Sequence, residues 1–589
     1  MSVAAERTLS NHLCPLPDGP AVLWHESVPK KVRRCLADGR ESAGWKMWKR
    51  HLCRRKKPLE LSSLLPDGNR ALAWGLPDGA NSAQLSPSAL QKWLDDADGG
   101  AWNTDYALSA LTWCWMLPKL AEDVPADSWW ALLNHLLRTA AEAATPENTN
   151  RMAENEPWLH QLLAGELPLS LAYWFPEIAA CQAMQSAAYD TLSVGLLDLL
   201  DGEGLLHARH FGQMRPLLAC WTRCRAIGER MRGGCWTVEA ERQYRWLVRN
   251  ALRLSRRDGS FVFSEAPAGE TDLGLWKTAL RLGGDEDDLA IAAAVLPGWK
   301  KQRRRPNIGI SEAAIHSEWA AAALLQPDWS RSAPRLTVLY PDSSCRTELS
   351  CGKDVLWSGE WGLNVRIDGV PAEPADEWQE VCWISDEDVD YLELEIDLDE
   401  GLRVQRHILL ARKDRFLLLA DAVLGTRKAR LEYRGTLPLC PSVTFSKTCE
   451  TREGTLVGCK PRAVVLPLAL PQGQADRNCG ELTQTAAGLE LIQASEGRSL
   501  FAPLLFDLDR RRMAGPLAWR RLTVAESLVV QPADVAAGFR VAMGKKQWLI
   551  YRSLEAKANR TLLGHNLSTE MLVARFDRQG EVEPLIEIE

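Results

Sequence analysis

Three ionisable side chains crowd into four positions at His207, Arg209 and His210, within the run Asp201-Gly-Glu-Gly-Leu-Leu-His-Ala-Arg-His210-Phe211. An imidazole with an ordinary pKa of about 6.5 takes up or releases a proton near neutrality. A guanidinium stays charged and grips carboxylates through a planar fork of donors. The sharp reading is a cationic, titratable patch able to hold an anion and move a proton beside it. The plainer reading is a loop whose polar side chains cap the helix that follows around Pro216. A further imidazole, His160, opens the stretch His160-Gln-Leu-Leu-Ala-Gly-Glu-Leu-Pro-Leu-Ser-Leu-Ala-Tyr-Trp-Phe-Pro-Glu177, in which Tyr173 offers a hydroxyl.

The elements that must position these groups can be read from periodicity. Residues from about 80 to 295 read as helices. Met184, Ala188, Leu192, Leu196 and Leu200 recur at helical spacing and stop at Asp201-Gly202. Met214, Leu217, Leu218, Trp221, Cys224 and Gly228 share a second stripe. Further helices are expected around 107–120, 128–141, 238–254 and 287–294, in antiparallel pairs that suit a bundle or a toroid of hairpins. After Pro297-Gly-Trp-Lys-Lys-Gln-Arg-Arg-Arg-Pro306 the period falls to two. Leu336, Val338 and Tyr340 alternate, and Leu392, Leu394 and Ile396 alternate against Tyr391, Glu393 and Glu395. Many short strands without interleaved helices indicate an antiparallel sandwich or stacked sheets.

The stretch from His160 to Pro176-Glu177, the following helix and Asp201-Gly202 resemble the α-toroid segment of the heparinase II/III-like polysaccharide lyases. The resemblance implies an N-terminal (α/α) toroid followed by a C-terminal antiparallel β-sandwich. The domains would be 1–80, an extended lead-in packing on the helices, 81–305, an incomplete toroid, and 306–589, the β-sandwich. It also implies a chemistry: abstraction of the proton α to a uronate carboxylate, then elimination of the 4-O-glycosidic bond. Such a site needs a donor to neutralise the carboxylate, a base and an acid. Carried over, His160 matches the family's first histidine, but Leu159 stands where an asparagine is expected and Asn155 lies five residues before. Phe211 stands roughly where a tyrosine is expected, with His210 one residue away. Glu177 reads as structural. The stretch corresponding to the family's β-domain histidine motif, 336–350, has no histidine, and His316 upstream reads as a junction residue. Strands at 403–410 and 416–421 match a family pair whose closing Asp421 joins histidines around a zinc in some members. Only His407 is nearby, so no metal and no cofactor are expected.

On this basis His160 and Arg209 are expected to neutralise the carboxylate, and His210 or Tyr173 to transfer the proton. His207, Asn155, Trp102, Trp174 and Trp221 would bind the substrate. All the tryptophans but Trp519 and Trp548 precede residue 400. Indoles stack well on sugars, although a large aromatic on a helix more often packs in the core.

The bulk properties narrow the partners. A chain of 589 residues exceeds one core. A net charge of -7 does not point to nucleic acid. The basic runs at 49–57 and 300–305 read as solvated faces or linkers. No stretch of about 18 apolar residues argues for a membrane span, and the N-terminus carries no secretory h-region. Fifteen scattered cysteines fit reduced thiols in a cytoplasmic protein. The expected partner is an acidic polysaccharide or oligosaccharide; the sequence sets no oligomeric state. Two other readings stand beside the lyase: a non-catalytic glycan-binding or scaffold protein, and an (α/α)-toroid glycoside hydrolase drafting Asp105, Glu166 or Glu203.

Overall fold

A computed structural model describes residues 24–37, 41–54, 87–97, 101–264, 273–299, 311–474, 480–577 and 579–589. The Pro-Asp-Gly sequences at 66–68 and 77–79 and the basic run 300–305 lie outside the described residues, as does the end of the run 49–57. The chain divides into two units. One takes Met1–Leu206, His210–Leu252 and Ala266–Leu289; the other takes His207–Arg209, Arg253–Glu265 and Ala290–Glu589. The first is helical and the second is built of antiparallel strands, the order expected from the change of period.

In the helical unit the two stripes fall on the helices Ala179–Asp198 and Met214–Gly228. The stretch around His160 is helical from Pro157 to Trp174 but contains a widened π turn over Gln161–Glu166. Pro168 has no N–H for the carbonyl four residues back, and a widened turn absorbs the missing bond. Gly165 permits the close approach: a Cβ there would sit 2.8 Å from Leu192 Cδ2. Where an extended lead-in is expected, Lys30–Ala37 and Glu41–Cys53 are helical. Trp45 and Trp48 of the latter pack edge-on against Trp129 of the helix Ala126–Ala143. These indoles seat the helix Glu41–Cys53 on Ala126–Ala143.

Two of the β unit's cores share one sheet. The long strands Leu402–Ala411 and Phe416–Leu437 pair in register from Leu402↔Gly425 to Ala411↔Phe416. Ile408, Leu410, Leu417 and Leu419 enter one core, with the sheet of strands between Ile315 and Glu360. Leu409, Ala411, Leu418 and Ala420 enter the other, with the sheet of strands from Leu517 to Ile588. A strand buried on both faces reads as a continuous apolar run, as Phe416-Leu-Leu-Leu-Ala420 does.

Candidate functional site

In the helical unit the widened turn carries polar side chains inward. Glu166 is fully buried and accepts from Arg223 Nε at 2.6 Å and Nη2 at 2.7 Å. Gln161 donates to the Thr191 carbonyl and accepts from Trp221 Nε1 at 3.0 Å. Its amide fills the space beside Gly195, where a Cβ would lie 2.2 Å from Gln161 Nε2. Trp221 is sealed in the core, so its indole packs and takes no ligand. Cys220 and Cys224 lie with Glu166 in a group of potential ligand atoms within 4.8 Å. Burial pushes both thiols up, and Arg223 occupies both Glu166 oxygens. The donor set therefore does not fit a cation. Glu166, committed in the same way, is not available as a hydrolase carboxylate, whereas Asp105 and Glu203 are exposed.

His160 precedes that turn, 6 % exposed, with no hydrogen-bond partner for Nε2 among the described residues. Burial pushes its pKa down to about 4, so near neutrality it is an uncharged donor. Tyr173 is half-buried and its hydroxyl accepts from Arg230 at 3.4 Å. Trp174 is buried edge-on to Tyr173. Asn155 is exposed and donates to the Arg151 carbonyl; Trp102 is half-buried. His210, half-buried, and Phe211, buried, belong to this unit. Glu177 does the structural work expected of it: its carbonyl accepts from His25 N and its carboxylate meets His51 Nε2 at 2.7 Å. The loop before His207 is pinned by Asp201, whose Oδ1 accepts from the backbone of Glu203 and Leu205 at 2.8 Å each.

His207 and Arg209 belong to the β unit, and there they join residues that sequence spacing does not single out. Ala208 N donates to the Ala320 carbonyl at 2.8 Å, which seats this segment on the turn between the strands Ile315–Ser317 and Ala322–Leu325. His207 stands edge-on to Trp319, with ring centroids 5.4 Å apart. Trp319 is 50 % exposed, unusual for an indole with no core role. Arg209 reaches the Pro341 carbonyl and the Glu377 carboxylate, each at 3.5 Å, and remains mostly exposed. Arg209 N donates to His207 Nδ1 at 3.2 Å, so the neutral ring carries its proton on Nε2.

Beside this rim lies a compact acid–base group. His316 Nε2 is 2.5 Å from Glu380 Oε2, and the Tyr340 hydroxyl donates to the same oxygen at 3.1 Å. A carboxylate only accepts, so the imidazole proton sits on Nε2 and the neutral ring presents its lone pair at Nδ1. Nδ1 has no hydrogen-bond partner among the described residues. Trp383 stacks on the ring at 4.8 Å and 17°, fixing its plane. The His316 and Glu380 side chains are 12 % and 13 % exposed, covered but not sealed. Burial, reinforced by Glu380, pushes the Tyr340 hydroxyl up, so it remains a donor through neutral pH. The stretch 336–350 has no histidine, and His316, read from the sequence as a junction residue, lies on the strand Ile315–Ser317. No local motif betrays it, because Glu380 lies 64 residues away and meets it only through folding.

The pair in the larger sheet is not brought together for a metal. Arg406 holds both oxygens of Asp421 at 2.8 and 3.0 Å, between the faces of Trp361 and Trp378. His407 stacks on Tyr391 and accepts or donates at Nδ1 to its hydroxyl, 2.9 Å away.

No family model and no curated protein matches the sequence. Solved structures do. A mutant of the heparan sulfate lyase HepC from Pedobacter heparinus aligns over 89 % of this chain and 97 % of its own, with TM-score 0.54 at 12 % identity. A heparinase III gene product with methylated lysines aligns over 90 % and 98 %, with TM-score 0.54 at 11 % identity. A crystal structure of heparinase III aligns over 90 % and 99 %, with TM-score 0.52 at 10 % identity. The chain shares their fold, a helical part followed by an antiparallel β part.

Proposed function

We propose that this chain acts on an acidic, uronate-containing polysaccharide by β-elimination, with proton transfer centred on His316. The observation that carries this reading is the shared Glu380 oxygen, which orients an imidazole and a tyrosine hydroxyl at the edge of a rim bearing Arg209, His207 and Trp319. Glu380 sets the tautomer so that Nδ1 is the base, and the imidazolium formed on proton uptake is stabilised by the carboxylate. Arg209 would exchange its exposed partner Glu377 for the uronate carboxylate, favouring the carbanion-like state. Trp319 would stack on a sugar ring. Tyr340, held protonated, is suited to donate toward the departing oxygen. The helical unit offers its own candidates: His210 and Tyr173 for proton transfer, and His160 as a neutral hydrogen-bond donor.

A second reading is binding without turnover. Phe211 favours it, since a phenyl ring cannot carry a proton where the resembled family is expected to place a tyrosine. Product analysis separates the readings. Incubation with a panel of uronate polysaccharides should yield new ends that absorb in the ultraviolet. New reducing ends without that absorbance would mean hydrolysis instead. Retention on the polymer with no new ends would leave binding alone.

A further inference from the structure

The hairpin between the strands Leu402–Ala411 and Phe416–Leu437 turns through Arg412, Lys413, Asp414 and Arg415. Beside it lies a groove of about 530 Å³ lined by Pro327, Asp328, Glu387, Arg412, Lys413 and Arg415. Five of these six side chains are charged, so the groove suits a hydrated ionic group and offers no apolar ligand a wall. The three cations are not equivalent. Arg412 is committed to Asp390 at 3.0 Å through Nε and to Ser385 Oγ at 2.7 Å. Lys413, 58 % exposed, is 3.3 Å from Asp388 and 3.7 Å from Glu387, a carboxylate itself 92 % exposed. Such exposed pairs contribute little in water and release readily. Asp328 accepts from Ser330 N at 2.6 Å. Arg415 alone among the three cations has no side-chain partner among the described residues.

Its backbone supplies an independent observation. Arg415 has φ of 53°, in the left-handed region that side chains resist. At the closing position of a hairpin turn glycine is the unstrained occupant. The conformation is held by Arg415 N donating to the Ala411 carbonyl at 2.8 Å and by Leu508 N donating to the Arg415 carbonyl at 3.0 Å. The turn thereby holds a guanidinium with no side-chain partner among the described residues beside the groove, where it can fork onto an oxyanion.

We infer that this groove is an oxyanion site of the β unit, taking a sulfate or carboxylate borne on an acidic saccharide, with Arg415 as the bidentate fork and Lys413 as a second, exchangeable charge. It is a binding site separate from the rim at Trp319, and occupancy does not require turnover. The full chain in low salt would be titrated with a sulfated uronate oligosaccharide and, separately, with inorganic sulfate. A Trp319→Ala background keeps the proposed catalytic rim from dominating the signal. Arg415→Gly should weaken oligosaccharide binding about tenfold, the scale of losing one charge-assisted fork, while raising the melting temperature by a few degrees as the strain is relieved. Lys413→Gln should weaken it a few fold and reduce its salt dependence. A higher melting temperature with unchanged oligosaccharide affinity would overturn the site. Equal losses for inorganic sulfate and oligosaccharide, with no tighter binding of the latter in the parent protein, would overturn its assignment to a saccharide.

Discussion

His160 allows a quantitative test in which the pH sensitivity of the fold is traced to one ring. The side chain is 6 % exposed, Nε2 has no partner among the described residues, and burial pushes its pKa down to about 4. An unfolded histidine titrates at about 6.5, so the gap corresponds to about 3 kcal/mol at roughly 1.4 kcal/mol per unit. The sign follows from which state takes the proton. Above pH 6.5 neither does, and the full stability is present. As pH falls from 6.5 towards 4 only the unfolded chain is protonated, and stability declines by up to about 1.4 kcal/mol per unit. Below 4 both states are protonated and the decline from this residue ends. His160→Phe removes the titration and the orphaned nitrogen together, with a modest change in volume. Urea unfolding of the helical unit, followed from pH 7.5 to 4.5, should find the two proteins within about 1 kcal/mol at the upper end. At the lower end the variant should be ahead by about 2–3 kcal/mol. His407, also held neutral by burial and by Arg552, is present in both proteins and cancels in the difference. Parallel stability–pH curves, or a His160 resonance titrating near its ordinary value, would refute the reasoning.

Two further outcomes follow from the packing and the rim. Arg223→Met should destabilise the helical unit by about 3–5 kcal/mol, because Glu166 is left charged and alone in the core. Adding Glu166→Leu should restore most of that loss in a thermal melt, and no restoration would mean the pair is not the source. Trp319→Ala should leave the melting temperature unchanged, as a half-exposed indole off the core predicts. It should also weaken binding of an acidic oligosaccharide several fold in a titration.

Much of the architecture was legible in the residues. The stripe from Met184 to Leu200 and the one from Met214 to Gly228 mark real helices, because a buried face imposes its own period. The fall to a period of two at Leu336 marks the strand Pro334–Leu339 for the same reason. The widened turn at Gln161–Glu166 was not legible as such, although Pro168 was its visible cause. The helices Lys30–Ala37 and Glu41–Cys53 were hidden because much of their stability comes from tryptophans on distant elements. At the site, clustering in sequence drew attention to His207, Arg209 and His210, yet the chain assigns the first two and the third to different units. His316 was read as a junction residue and Tyr340 as a strand position, and their grouping with Glu380 was not legible because it is tertiary. Two residues on separate strands, His316 and Glu380, and Tyr340 just past the end of a third form a group only after the sheets assemble.

The central claim, that Nδ1 of a Glu380-held His316 removes the α-proton of a uronate, is tested most directly by the initial rate of ultraviolet-absorbing end formation in the parent protein, His316→Ala and Glu380→Gln. With folding matched by thermal melts, the account predicts loss of nearly all product formation in His316→Ala. Glu380→Gln should show a large fall in kcat with KM little changed, since the carboxylate orients the base and does not touch the sugar. Undiminished product formation by His316→Ala would contradict it.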